Sequence, residues 1–245
     1  MTTEDSSSRL SLKTIAHIRT DFPTKFGIPR QSGLVAALKA VIVFEPEYRD
    51  AAAVRGLVGF THIWLIWGFS EVASGSWSPT VRPPRLGGNR RVGIFASRSP
   101  FRPNPLGLSS VRLDEVELHP HLGPVLHVSG ADLLDNTPIY DIKPYLPYTD
   151  SHPDAAGGFA ESVSDYQLDV EFPEEWLCLI PEERRQALLG VLAQDPRPGY
   201  QDDSERIYGL EFAGFDIRFR VSEGVLTVCE VVMPRETQAK GADTI

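Results

Sequence analysis

Proline and glycine recur so often between residues 13 and 150 that only short elements of regular structure fit between them. Dense clusters of these residues are predicted to form loops at residues 21–33, 79–89 and 97–107. Apolar or alternating segments of strand length are predicted as strands or extended chain at residues 13–20, 34–44, 60–69, 91–96, 108–116, 125–130 and 139–148. This pattern favours an antiparallel β-barrel or β-sandwich.

One early helix and a second module complete the predicted architecture. Residues 46–56 have proline in the first turn and glycine at the end, which is typical of a helix. A linker is predicted at 151–165, after which a helix at 181–194 precedes three strands in a small α+β module over 166–234. The three strands are predicted at residues 206–212, 215–221 and 225–232. Residues 1–11 are expected to be a disordered tail.

Charge is distributed very unevenly along the chain. The formal net charge is −9, but residues 1–113 hold 15 basic and 7 acidic side chains, whereas residues 114–245 hold 9 and 26. Between Glu71 and Asp114 there are seven arginines, no lysine and no acidic residue. Because arginine binds phosphate and carboxylate through a bidentate fork, this region predicts an anion-binding face.

Several common chemistries have no support in the sequence. There is no glycine-rich Rossmann fingerprint, phosphate-binding P-loop, HExxH or GxSxG motif. The six histidines lack a zinc-binding spacing, so no metal is expected. Only two cysteines occur, Cys178 and Cys229, which is too few for a disulfide framework and favours a reducing cytoplasm. No apolar run reaches transmembrane length, so no membrane-spanning helix and no membrane partner are expected. The N-terminus is polar, so no secretory signal is expected.

Two segments carry candidate binding chemistry. Residues 98–109 (RSPFRPNPLGLS) hold three prolines, which restrict the loop before any ligand arrives, and Asn104 can both donate and accept hydrogen bonds. Residues 132–145 (DLLDNTPIYDIKPY) place Asp132 and Asp135 in a turn that could hold a sulfonium cation or ribose hydroxyls. The alternative is structural: a rigid surface loop with solvated arginines, and aspartates that only cap a turn.

Four motifs together carry a family resemblance. The segment RPPRLGGN at 82–89, the loop SRSPFRPNPLGLS, the run DLLDNTPIYDIKPYLPY and the later DPRPGY at 195–200 closely resemble the TsaA/YaeB family of TrmO-type tRNA methyltransferases. The resemblance implies a small β-barrel that binds S-adenosyl-L-methionine at a homodimer interface. It also implies N6-methylation of N6-threonylcarbamoyladenosine at position 37 in the tRNA anticodon stem-loop. Two positions depart from the expected pattern: Ser70 stands where histidine is expected and Gly199 where alanine is expected.

The resemblance also implies roles for individual residues. Residues that would act on the reacting nucleotide are Asn104, Tyr145 and Arg102. Residues that would bind the cofactor are Gln31, Arg98, Asn104, Pro105, Leu108, Asp132, Leu133, Leu134, Asp135 and Thr137. Residues that would bind tRNA are Arg82, Arg85, Arg90, Arg91, Asp195, Arg197 and Tyr200.

The implied chemistry is an in-line displacement on a methyl group, promoted chiefly by positioning. We hypothesise that Asn104 and Tyr145 hold the adenine while Arg98 or Arg102 binds the threonyl carboxylate. The general base is left open between an aspartate and a tyrosinate. Two other interpretations are a non-enzymatic regulator that binds S-adenosylmethionine or RNA, and a barrel that acts on an unrelated small molecule.

Overall fold

The structure, a computed structural model, describes residues 11–71, 77–83, 90–163, 166–197 and 203–233. The predicted disordered tail therefore lies almost wholly outside the described residues. The strands of the first 150 residues are β1 (Ala16–Arg19), β2 (Lys39–Phe44), β3 (His62–Gly68), β4 (Thr80–Val81), β5 (Val92–Gly93), β6 (Leu106–His119), β7 (Gly123–Ser129) and β8 (Thr137–Pro144). Six of them close an antiparallel barrel in the order β1-β2-β7-β6-β3-β8, with β8 paired to β1. Of the two predicted architectures, the barrel is therefore the one that forms.

The apolar strand β3 shows how the barrel interior is filled. Ile63, Leu65 and Trp67 are buried, whereas His62 is exposed and the intervening residues are half-buried. A continuous apolar run such as residues 60–69 suggests a strand buried on both faces, but this expectation is wrong because one face of β3 forms the outside of the barrel. Alternation of this kind is the rule for a closed antiparallel sheet.

The predicted early helix is present only as separate 3-10 turns. These turns span Pro46–Tyr48, Ala51–Val54 and Leu57–Gly59. The first turn ends at Arg49, and Asp50 caps the start of the second, because its Oδ1 accepts a hydrogen bond from the Ala52 backbone nitrogen at 2.8 Å. Gly56, with φ of 86°, interrupts the helical path again. Asp50 and Gly56 thus divide into short turns a segment that its composition predicts to be one helix.

Other predicted elements differ in extent, and the strand expected over 108–116, for example, is β6 over Leu106–His119. The strand expected over 34–44 begins at Lys39, because the preceding residues turn away from the barrel. The strand expected over 91–96 has two residues, followed by a 3-10 turn at Ile94–Ala96. The extended segment 139–148 ends in a single helical turn, α1 (Pro147–Asp150). Pro147 occupies the first position of that turn, where its missing N–H costs nothing.

The C-terminal module contains the predicted helix and meander. Its elements are β9 (Asp169–Glu171), α2 (Glu174–Leu177), α3 (Glu182–Ala193), β10 (Tyr208–Phe212), β11 (Phe215–Ser222) and β12 (Val225–Val232). The three consecutive strands form the predicted meander, with Ala213 and Gly214 both at positive φ in the hairpin turn. The short strand β9, which the sequence did not reveal, pairs in parallel with β12.

Residues 20–38, which we call the bridging segment, join the barrel to the C-terminal module. Phe22, Val35 and Leu38 are buried in the same apolar cluster as α3 and the meander. On the barrel side, the Asp135 backbone nitrogen donates to the Phe22 carbonyl at 2.9 Å. On the module side, Arg184 of α3 and Asp21 form an ion pair at 2.5 Å. The segment is therefore held by both parts of the protein.

Candidate functional site

A cavity of about 670 Å³ lies where the two predicted binding segments meet the bridging segment. Its walls come from the bridging segment, from the end of β3 and the residues after it, from the proline-rich loop 97–105, from the start of β6 and from the turn 130–137. The lining residues are Lys25, Ile28, Pro29, Arg30, Gln31, Trp67, Gly68, Phe69, Ser70, Glu71, Ser97, Arg98, Pro100, Phe101, Arg102, Leu106, Gly107, Leu108, Asp132, Leu134 and Thr137. A volume of this size is typical of a site for one small molecule.

The cavity brings together most of the residues that the resemblance assigns to the cofactor. The predicted residues that line it are Gln31, Arg98, Arg102, Leu108, Asp132, Leu134 and Thr137. Arg98 of the proline-rich loop donates a hydrogen bond from Nη1 to Oε1 of Gln31 in the bridging segment. Two segments distant in sequence are thus linked across the cavity wall.

Four other predicted residues lie beside the cavity rather than in its wall. Asn104 is exposed, and its carbonyl accepts a hydrogen bond from the Leu106 nitrogen at 2.8 Å. The Pro105 carbonyl accepts from the nitrogen of Phe69 at 3.0 Å. Leu133 is buried in the barrel core. The Asp135 carboxylate accepts from the Thr20 nitrogen at 3.0 Å, which ties the turn to the bridging segment.

Arg102 braces its own loop. Its Nη1 donates to the carbonyls of Ile94 at 3.1 Å and Ser97 at 2.7 Å. The guanidinium carbon lies 5.7 Å from the centre of the Phe95 ring, within the range of a cation–π contact. Because Arg102 also lines the cavity, its side chain both shapes the loop and faces the space that a ligand would occupy.

Asp132 is a half-buried acidic group in the cavity wall. Its carboxylate Oδ1 accepts a hydrogen bond from Ser109 Oγ at 2.6 Å, and Ser109 Oγ in turn accepts from Trp67 Nε1 at 3.0 Å. Burial raises the pKa of Asp132 above its ordinary value, although the Ser109 hydrogen bond and the charge of Arg98 act in the opposite direction. Neither Trp67 nor Ser109 was predicted as a site residue. The sequence feature that could have identified Ser109 is a polar residue on the inward-facing side of a strand, here β6.

Tyr145 lies far from the cavity of its own chain. Its backbone nitrogen donates to the His62 carbonyl at 3.0 Å, and its ring packs 5.6 Å from the ring of Trp64. His62 begins β3, whereas the cavity lies at the Gly68 end, about 20 Å away at the usual rise of a strand. One chain alone does not bring Tyr145 together with the other predicted site residues.

The predicted tRNA-binding residues fall into two groups. Arg82, Arg90 and Arg91 are exposed beside the β4–β5 hairpin, and Arg91 donates to Thr80 Oγ1 at 2.8 Å. In the C-terminal module, Arg197 and Asp195 form a bidentate ion pair at 2.9 and 3.0 Å with both side chains largely buried. The remaining two residues of the prediction, Arg85 and Tyr200, lie outside the described residues.

The Asp195–Arg197 pair has a clear electrostatic signature. Burial would raise the pKa of Asp195, but hydrogen bonds from Arg197 and from the Tyr166 hydroxyl hold it below its ordinary value. Asp195 has φ of 52°, a left-handed conformation that few residues with side chains adopt. The pair thus stabilises an unusual bend directly after α3.

Exposed apolar side chains surround the cavity entrance. Phe95, Phe101, Leu106 and Leu108 are between 38% and 76% exposed, and the last three also line the cavity. Large apolar side chains left exposed beside a cavity are typical of an interaction site. Among the described residues, no group of three or more histidine, cysteine or acidic side chains could hold a metal ion. No helix in the described part of the chain is long and apolar enough to cross a membrane.

Comparison with known proteins gives a consistent result. The tRNA-methyltransferase O N-terminal domain model matches residues 17–151, and the TrmO C-terminal domain model matches residues 165–234. The chain is 42% identical over 224 residues to a tRNA (adenine(37)-N6)-methyltransferase of Escherichia coli, a match that covers 88% of this chain and 95% of the relative. It is 47% identical over 178 residues to one of Eikenella corrodens, covering 72% and 99%.

A solved structure agrees with the sequence matches. The crystal structure of TrmO from Pseudomonas aeruginosa superposes with a TM-score of 0.74 at 31% identity and covers 91% of this chain and 99% of that one. The resemblance drawn from the four motifs is therefore confirmed, and the chain belongs to the tRNA-methyltransferase O family.

Proposed function

We propose that this chain is a tRNA methyltransferase that transfers the methyl group of S-adenosylmethionine to N6 of adenine at position 37. The substrate would be N6-threonylcarbamoyladenosine in the anticodon stem-loop. The observation that carries the proposal is the cavity, because the proline-rich loop and the turn 130–137 both line it. Relatives that share almost half of the sequence and match most of the chain carry the name of this activity.

The residues of the cavity fit the proposed cofactor. When bound, S-adenosylmethionine supplies an electrophilic methyl group on a sulfonium cation. The half-buried carboxylate of Asp132 suits a cation or hydroxyl donors, and Arg98 suits a carboxylate. Trp67, Phe69 and Leu134 provide apolar walls that exclude water from the reacting groups. Asp135, which lies beside the wall, would hold the turn 130–137 against the bridging segment rather than contact the cofactor.

Catalysis would rest on positioning. Asn104 would orient the adenine, and Arg98 or Arg102 would bind the threonyl carboxylate so that N6 points at the methyl group. Since Nη1 of Arg102 already holds the carbonyls of Ile94 and Ser97, its contact with the substrate would fall to the other guanidinium nitrogens. The base that removes the N6 proton would be an aspartate or a tyrosinate.

A homodimer would explain the distance between Tyr145 and the cavity. Leu106 and Leu108 lie at the cavity end of the outer sheet face, and Tyr145 follows β8 at the far end of the same strands. A two-fold axis through that face would bring Tyr145 of one copy toward the cavity of the other. The exposed apolar residues around the entrance support such an interface.

The two modules would divide the work of binding tRNA. We place the barrel at residues 13–150 and the tRNA-engaging module at residues 166–234, with 151–165 between them. Exposed Arg82 and Arg90 would contact phosphate, and the Asp195–Arg197 bend would shape the tRNA-facing surface of the C-terminal module. A tRNA substrate and two unpaired cysteines fit activity in the cytoplasm.

Methyl transfer from labelled S-adenosylmethionine tests the activity. Wild-type protein should methylate tRNA that carries the threonylcarbamoyl group, with the label recovered at N6 by nucleoside mass spectrometry. Arg102→Ala should lose most activity on that tRNA and little on tRNA without the group. Equal loss on both, or none, would rule out the carboxylate contact, and binding without transfer would favour a regulator.

Mixed dimers test the proposed role of the second copy. If Tyr145 acts in the cavity of its partner, Tyr145→Ala and Arg98→Ala proteins should each be inactive alone but regain activity when mixed. The mixed dimer then contains one cavity with both residues intact. An active Tyr145→Ala protein, or a mixture that stays inactive although mixed dimers form, would contradict this arrangement.

A further inference from the structure

A chain of two hydrogen bonds leads from the indole of Trp67 to the cavity carboxylate. Trp67 Nε1 donates to Ser109 Oγ at 3.0 Å, and Ser109 Oγ donates to Asp132 Oδ1 at 2.6 Å. Ser109 is 1% exposed and does not line the cavity, whereas Trp67 and Asp132 both do. Ser109 can therefore influence a ligand in the cavity only through its neighbours.

The direction of these hydrogen bonds is fixed by their chemistry. An indole N–H can only donate, so the Ser109 oxygen must accept from Trp67. The single hydroxyl proton of Ser109 is then directed to Asp132. A distance of 2.6 Å between the two oxygens lies in the range for a hydroxyl that donates to an ionised carboxylate. The serine thus favours the charged form of Asp132 and one orientation of its side chain.

The strand opposite Trp67 is built to hold the indole in place. Gly107 pairs with Trp67 across β3 and β6, and a Cβ at this glycine would fall well under 3.0 Å from several atoms of the indole ring. Only glycine lets the ring lie this close to the strand. The indole is therefore fixed by a steric contact on one side and by its hydrogen bond to Ser109.

The groups around Asp132 determine how much Ser109 contributes to keeping its carboxylate charged. Burial raises the pKa of Asp132, and the groups that oppose this effect are Ser109 on β6, Arg98 on the proline-rich loop, and backbone N–H groups at Ser32 and at Asp132 itself. Arg98 is exposed, so solvent weakens its effect. The buried serine hydroxyl is thus a main support of the charged carboxylate.

We propose that Ser109 is a positioning residue for methyl-donor binding: held by Trp67, it orients the Asp132 carboxylate toward hydrogen-bond donors or positive charge on S-adenosylmethionine. This inference rests on the proposed placement of that molecule in the cavity. Ser109 makes no contact with the ligand, so its effect appears in the affinity for S-adenosylmethionine and in the pH dependence of that affinity.

Ser109→Ala tests the inference, and Ser129→Ala is a matched control. Ser129 is also a buried barrel serine that donates to an aspartate, Asp114, but neither residue lines the cavity. Calorimetry with S-adenosylmethionine should show about tenfold weaker binding to Ser109→Ala at neutral pH, since it loses a hydrogen bond to a charged group. The control should bind like the wild type.

The pH dependence separates positioning from a general loss of packing. A carboxylate that must be ionised loses its ligand as the pH falls through its pKa. Without the serine the pKa of Asp132 rises further, so affinity should fall at a higher pH in Ser109→Ala than in wild type or Ser129→Ala. In kinetics, the KM for S-adenosylmethionine should rise while the KM for tRNA stays constant. Ser109→Thr, which keeps the hydroxyl, should recover most of the affinity.

Asp132→Asn distinguishes failure of this inference from failure of the cavity assignment. If Asp132→Asn weakens binding but Ser109→Ala binds and titrates like Ser129→Ala, the role of Ser109 is wrong. If Asp132→Asn and Ser109→Ala both bind as tightly as wild type, the methyl donor does not occupy this cavity next to Asp132. Thermal unfolding of each variant ensures that only folded proteins are compared.

Discussion

Gly27 lies where the bridging segment contacts the C-terminal module, and Gly27→Ala measures how tightly the two are joined. Gly27 has φ of 86°, and a Cβ there would fall well under 3.0 Å from Cδ1 of Leu210, a fully buried residue of β10. Gly33 in the same segment has φ of 81°, but nothing lies within 4 Å of the position that an added Cβ would take. An alanine would therefore strain the backbone at both positions, but it would meet a steric clash only at residue 27.

The expected magnitudes follow from this difference. Alanine in the left-handed region costs about 1–2 kcal/mol at either position. The clash with a buried leucine adds about 1–3 kcal/mol, since the surrounding core has little space in which Leu210 can move. The free energy of unfolding, measured by chemical denaturation, should therefore fall by about 2–5 kcal/mol in Gly27→Ala and by about 1–2 kcal/mol in Gly33→Ala.

The same substitution should affect the cavity. Gly27 immediately precedes residues 28–31, all of which line the cavity wall. Displacement of this stretch should weaken S-adenosylmethionine binding to folded Gly27→Ala more than to Gly33→Ala, as measured by calorimetry. Equal loss of stability in the two variants would refute the steric argument. Normal cofactor affinity in a destabilised Gly27→Ala protein would show that the wall does not depend on the C-terminal module.

Three further predictions concern other parts of the molecule. Gly107→Ala should displace the Trp67 ring, lower the free energy of unfolding by about 1–3 kcal/mol and weaken cofactor binding, whereas an unchanged affinity would contradict the role of the indole. Arg197→Ala should lower the free energy of unfolding by about 3 kcal/mol at neutral pH, because it leaves the largely buried Asp195 without its ion-pair partner. The pKa of Asp195 is depressed in the folded wild type, so its stabilising effect is present above the ordinary aspartate pKa and is lost as the pH falls through the folded value. Denaturation at neutral and acidic pH should show this loss in wild type but not in Arg197→Ala. Arg90→Ala should reduce the slope of log affinity for tRNA against log salt by about 1, and an unchanged slope would exclude a phosphate contact.

The strands and loops around the cavity could be predicted because their signals are local. Proline and glycine ended each strand between residues 79 and 107, and acidic residues at 182 and 183 indicated the start of α3. The two loop motifs were long enough to identify the family. The motifs could not reveal which predicted residues line the cavity and which, such as Leu133 and Asp135, support it from behind.

The errors arose where distant parts of the chain decide the outcome. Residues 34–38 are apolar and resemble a strand, but Val35 packs closely against Gly190 of α3 and draws them away from the barrel. Ser109 and Trp67 acquire their importance from the pairing of β3 with β6, which local sequence does not specify. Tyr145 follows the Asp132 turn in sequence, but strand β8 carries it to the opposite end of the barrel.

A crystal structure of the protein with bound S-adenosylmethionine would show where the methyl donor binds. We expect the ligand in the cavity between Arg98 and Asp132, with Gln31 of the bridging segment beside it. Clear density for the ligand at another site, with this cavity left open, would show that these residues do not hold the methyl donor.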